Sequence, residues 1–175
     1  MIQESLFNIP YWKIQIINFE KKKKELTKLL DFYPEEKKGM QEFSTNRQNN
    51  RAGLIEQFTS IMSEEAAVLS KEIKKDFVVT EIWSVSYDKG NNHPAHNHGS
   101  MGLTGILYLN LPKDSPVTVF IQPWQNYETD ECWYYKIPIV EGDIVIVPSF
   151  LLHYSNPNKS ENKKRIISWD MKIKY

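Results

Sequence analysis

The chain has 175 residues, 41% of them apolar and 25% charged, with 22 basic against 22 acidic side chains. That length suits one soluble domain over 1–175, and a formal charge of zero gives no field to gather nucleic acid or an anionic membrane surface. No apolar run approaches the roughly 20 residues of a membrane span, no secretory-signal pattern opens the chain, and the lone Cys132 excludes an internal disulfide framework, so a reducing cytoplasm is expected.

Residues 9–19 (IPYWKIQIINF) are rich in branched and aromatic side chains with partial alternation, which reads as an entering strand. The next stretch places Leu26, Leu29, Leu30 and Tyr33 at spacings of three and four, an amphipathic helix whose lysine run, Lys21 to Lys24, reads as its solvated face. Residues 34–51 are polar and carry Pro34, Gly39 and the cluster NRQNN, so they read as a loop, either a lid or a plain connection. From Ala52 the spacing Ile55, Phe58, Met62, Ala66, Leu69, Ile73 predicts one long helix of about six turns with a buried stripe.

Beyond Asp76 the pattern turns extended. FVVTEIWSVSY, LTGILYLNL, VTVFIQ, CWYYKIPIV, DIVIVPSFLLHY and RIISWDMKI are short strand-like runs broken by Gly, Pro, Asn and Asp, with no long helix between them. The fold class that follows is mainly β, a jelly roll over 76–175, with the strand and two helices of 1–75 packed on one sheet.

There are four histidines, and three of them, His93, His96 and His98, fall within six residues. Two histidines separated by one residue share a face of an extended chain, so His96 and His98 can grip one ion. His93 has the opposite parity to His96 and precedes Pro94, which makes it the weakest ligand candidate. His153 lies near the end of the run 143–154, where a buried strand reaches a Pro-Ser turn and then the histidine, and in a jelly roll strands far apart in sequence lie side by side, so it can complete a three-imidazole metal site with open positions.

At these residues the chain resembles two related double-stranded β-helix families. The cupin pattern is met by Gly90, His96 and His98, then by Gly142, Pro148 and His153, but Gly102 and Leu103 stand where its glutamate belongs. The closer match is to the iron(II)- and 2-oxoglutarate-dependent oxygenases, in particular small bacterial and phage members with the pattern H.H...SGvyYl...P, then PSwl.H, then R.s.sfN. The corresponding stretches are HNHGSMGLTGILYLNLP, PSFLLHYSNP and RIISWD, within about residues 80–170, and Thr104, Tyr108, Leu109 and Asn110 repeat a signature of prolyl-hydroxylase-like members.

The resemblance implies that His96, His98 and His153 hold iron(II), with His98 where most relatives have Asp or Glu. It implies that Arg165, twelve residues after His153, binds the far carboxylate of 2-oxoglutarate, with Tyr108 and Thr104 as hydrogen-bonding partners. Ser168 lies three residues after Arg165, where strand parity turns it away from the arginine, and is set aside. The implied reaction is hydroxylation of a substrate with release of succinate and CO2. Trp124, Trp133 and Asn110 are candidates for the substrate side, Trp124 and Trp133 within an aromatic hairpin that also holds Tyr127, Tyr134 and Tyr135. The substrate class and the oligomeric state, a dimer included, stay open. Two rival readings are a cupin-like metalloenzyme without 2-oxoglutarate and a jelly-roll binding module without catalysis.

Overall fold

Long runs of β-branched and aromatic residues need two covered faces, and the C-terminal half of the chain supplies several. The computed structural model describes residues 8–37, 43–47, 53–126 and 128–174. Tyr127 and much of the polar stretch 34–51 therefore lie outside the described residues. The elements are β1 (Trp12–Gln15), α1 (Phe19–Asp31), β2 (Ser44–Thr45), α2 (Leu54–Ile61), α3 (Ser63–Ile73), β3 (Phe77–Tyr87), β4 (His93–His96), β5 (Leu103–Asn110), β6 (Thr118–Ile121), β7 (Tyr134–Lys136), β8 (Asp143–Pro148), β9 (His153–Ser155) and β10 (Lys164–Ile173).

Two antiparallel sheets form a jelly roll. One has six strands in the order β1-β8-β5-β10-β3-β2, the other four in the order β4-β9-β6-β7. The outer face of the large sheet is covered by the helices: Leu26, Leu30, Leu54, Phe58 and Leu69 pack with Leu107, Ile144, Ile167 and Trp169. Its inner face meets the small sheet through Trp83, Ile106, Tyr108, Phe120, Val145, Val147 and Ile166. Gly105 permits this layering, because a Cβ there would lie 2.2 Å from the ring of Trp169, which reaches across to Phe58 at 5.1 Å between centroids.

Two expectations need correction. The long helix is two, broken at Met62, whose φ of −95° and ψ of 16° leave the helical region just before Ser63 opens α3. The break has a partner. It sets Glu64 and Glu65 beneath Lys22, whose ammonium bonds them at 2.7 and 2.8 Å, while Glu65 also accepts the Ile17 N–H at 2.9 Å. Lys22 is thus a buried ion-pair partner and not part of a solvated face. The Pro-Ser turn before His153 is present: β8 ends at Pro148, and after a turn closed by Leu151 N–H to Pro148 O at 3.0 Å the chain re-enters as β9 in the other sheet.

Replacing Lys22 with Met leaves Glu65 buried without its cation, and an uncompensated buried charge costs about 3 kcal/mol. Urea unfolding should show a lower midpoint at unchanged slope.

Candidate metal centre

The small sheet builds the site. β4 and β9 run antiparallel with His96 directly opposite His153, so both imidazoles rise from one face side by side, with ring centroids 4.4 Å apart. His98 lies two residues past the end of β4. Its own N–H is tied to Ser149 O at 2.9 Å in the turn between β8 and β9, and its ring lies 5.3 Å from that of His96 and 5.2 Å from that of His153. One ring nitrogen from each of the three falls within 4.8 Å of the others.

Each ring is held from behind. The Nδ1 atoms of His96, His98 and His153 face Pro94 O at 2.8 Å, Asp170 Oδ1 at 2.9 Å and Leu151 O at 2.9 Å. All three partners are acceptors, so each Nδ1 carries its proton and each Nε2 is left with a free lone pair, the form a metal needs. Burial, reinforced by the neighbouring imidazole of His96, pushes His153 down to about 3, and burial likewise lowers His96. These two ligands are therefore neutral at physiological pH. His93 stays out of the triad: its ring is stacked between Phe43 and His96, 4.0 Å from each, with the Tyr87 hydroxyl 3.2 Å from its Nδ1.

The histidines line one end of a pocket inside the jelly roll that continues past Tyr87, Thr118, Ser155, Ile166 and Ser168. A basic group adjoins its Ser155 wall, and it is not Arg165. Along β10, Lys164, Ile166, Ser168 and Asp170 share the inward face, and Arg165 points outward to an ion pair with Glu35 at 2.8 Å. The basic group on the inward face is Lys164. It is 1% exposed, its ammonium bonds Pro116 O at 2.7 Å and Ser155 Oγ at 2.8 Å, and it stands 4.7 Å from the centre of the Tyr87 ring. Among the described residues no carboxylate pairs with it, and desolvation alone pulls it down to about 7.

Tyr108 lies at this same end. Its hydroxyl donates to Thr118 Oγ1 at 2.9 Å, and Thr118 pairs with Ser155 across the small sheet. Thr104 belongs to the histidine end: its hydroxyl bonds Asp170 Oδ1 at 2.8 Å and Ser149 Oγ at 3.0 Å. Asn110 sits at the sheet margin, donating to Lys163 O. Trp124 and Trp133 line a separate, open groove of about 330 Å³ with Tyr11, Phe120, Tyr135 and Leu151. Phe120 joins the groove to the metal centre, its ring 5.8 Å from that of His153. Lys164 is the residue that sequence reasoning passed over, and period-two counting along β10 puts it on one row with Ser168 and Asp170.

Comparison with known proteins bears on this site. Residues 81–170, just over half of the chain, match the family model described as "Putative 2OG-Fe(II) oxygenase". The chain belongs to this family of iron(II)- and 2-oxoglutarate-dependent oxygenases. No curated protein sequence matches it significantly. Among solved structures it is similar to the α-ketoglutarate-dependent carbocyclase SnoK of nogalamycin biosynthesis, with a TM-score of 0.69 at 11% identity over 93% of this chain and 79% of that one. HygX from Streptomyces hygroscopicus, with nickel and 2-oxoglutarate bound, gives 0.67 at 9% over 94% and 83%. A Pseudomonas putida prolyl-4-hydroxylase gives 0.60 at 14% over 94% and 93%. These likenesses are likenesses of fold.

Iron(II) and 2-oxoglutarate are the metal and cosubstrate of the family, and the residues present fit both. Three imidazoles with free Nε2 atoms suit iron(II), and a buried ammonium without a carboxylate suits a dicarboxylate's far end. Replacing His153 with Ala should abolish binding of one equivalent of cobalt(II) in an equilibrium titration, whereas His93→Ala should retain that equivalent.

Proposed function

We propose that the protein is a hydroxylase in which His96, His98 and His153 hold iron(II) through Nε2 and Lys164 takes the far carboxylate of 2-oxoglutarate. The observation that carries this reading is the pairing of three back-anchored histidines in one pocket with a buried lysine that has no carboxylate partner among the described residues and is bonded to Ser155 of that pocket's wall. His153 and Ser155 are two residues apart on one strand face, roughly 7 Å, and Ser155 holds the lysine. A five-carbon dicarboxylate held between the three histidines and Lys164 would be of that reach.

Bound together, iron(II) and 2-oxoglutarate supply oxygen activation, with succinate and CO2 leaving and a hydroxyl passing to the substrate. The chain supplies position and dryness. Tyr108 and Thr118 fix the wall beside Lys164, and Ile106 and Ile166 exclude water between the two ends. Arg165, occupied by Glu35 on the other side of the sheet, takes no part.

The groove of Trp124 and Trp133 is the substrate face of this proposal. Among the described residues no ionisable acid or base other than tyrosine lines it, so the group it receives is uncharged, flat and apolar. No helix among the described residues is long and apolar enough to cross a membrane, and the unpaired Cys132 supports a reducing, cytoplasmic setting.

Anaerobic addition of iron(II) and then 2-oxoglutarate should raise the visible charge-transfer band of the chelate, and its absence in folded, metal-loaded protein would sink the reading. Lys164→Ala should weaken 2-oxoglutarate binding at least tenfold with cobalt(II) affinity unchanged, while Arg165→Ala leaves both unchanged. A pH dependence follows from the burial of Lys164, which holds it near 7 in the ligand-free protein. Below that pH the ammonium is already charged and affinity is flat. Above it each binding event must take up a proton, so the apparent Kd for 2-oxoglutarate should rise by up to tenfold per pH unit, readable by calorimetry in buffers of different ionisation enthalpy.

A further inference from the structure

Three imidazole ligands lack the negative charge that a set of two histidines and one carboxylate brings to iron(II). A carboxylate nevertheless stands directly behind one of them. Asp170 Oδ1 accepts the His98 Nδ1–H at 2.9 Å and the Thr104 hydroxyl at 2.8 Å. His96 and His153 give their Nδ1–H groups to neutral backbone carbonyls, so His98 alone of the three faces a charge. It is also the residue that stands where the oxygenase pattern most often has Asp or Glu.

The surroundings preserve that charge. The His98 side chain is 2% exposed and stacks on Trp83 at 5.2 Å, so its bond to Asp170 is made away from water, where a charged hydrogen bond is strongest. Arg47 is the one cation found near Asp170 among the described residues, 3.7 Å from Oδ2, but its shorter contacts, at 3.0 and 3.3 Å, both go to Glu81. Glu81 therefore offsets the guanidinium, and the charge of Asp170 remains for His98. The Thr104 bond, itself backed by Ser149, fixes the carboxylate in the plane that His98 needs.

The geometry points to Asp170 as the positioning residue that returns the missing carboxylate charge to the metal, one residue further out, through His98. The inference rests on the three-histidine reading of the metal centre. It makes the site equivalent in charge to a set of two histidines and one carboxylate, with the acid displaced from the ligand to its partner.

The test is a cycle in metal affinity, with cobalt(II) as the probe and no turnover required. Asp170→Asn keeps an oxygen to accept both hydrogen bonds and removes the charge, and it should raise the Kd for cobalt(II) about tenfold. His98→Asp places a carboxylate among the ligands themselves. In that background Asp170→Asn should leave the affinity unchanged or tighten it, because a second carboxylate is then redundant and repels the first. Equal weakening in both backgrounds makes Asp170 a structural prop, and no weakening in the parent removes its role; either result overturns the inference. If Asp170→Asn alone does not fold, H98D against H98D/D170N decides the matter, since weakening there overturns it and unchanged or tighter binding supports it. A parent protein that binds no cobalt(II) overturns the metal centre itself, and this inference with it.

Discussion

Everything at the metal centre hangs on the register between β4 and β9. Because His96 stands opposite His153, two histidines far apart along the chain become neighbours on one face of the small sheet. Side chains alternate with a period of two, so a slip of one residue would turn His153 into the exposed face and bring Leu152 or Tyr154 opposite His96. The turn between β8 and β9 guards that register. Ser149 O holds the backbone of His98, Leu151 O holds the ring of His153, and the turn is itself closed onto Pro148. One short crossing between sheets thus references two of the three imidazoles to each other.

Much of this was legible in the sequence. The HxH spacing, the distant His153 and the strand runs from Phe77 onward mark a mainly β fold with histidines at strand ends, and β3 begins and ends where the run FVVTEIWSVSY does. The parity argument for His96 and His98 reached its pair by an incomplete route, since the strand stops at His96 and the position of His98 is set by Ser149 and Asp170. The break at Met62 was not legible, because the apolar stripe runs through it unbroken and only the distant Lys22 explains why the chain turns there.

The inward side of β10 was hidden for a different reason. Ile166 and Ile167 are both buried, one against the small sheet and the other against the helices, so hydropathy does not alternate along a strand covered on two faces. Parity then needs a fixed point. Taking Arg165 as that point placed the whole row on the wrong side. Ser168, turned away from Arg165 as its spacing requires, is for that very reason the one that faces the pocket.

The burial of Lys164 also bears on how the protein is kept folded. An amine sealed behind two sheets, bonded only to a carbonyl and a hydroxyl, is poorly compensated for the water it gave up. In the proposed assignment, a dicarboxylate bound at Lys164 would relieve that poorly compensated burial. On that assignment the fold would be at its firmest when loaded, and cosubstrate supply would be tied to protein lifetime through one side chain.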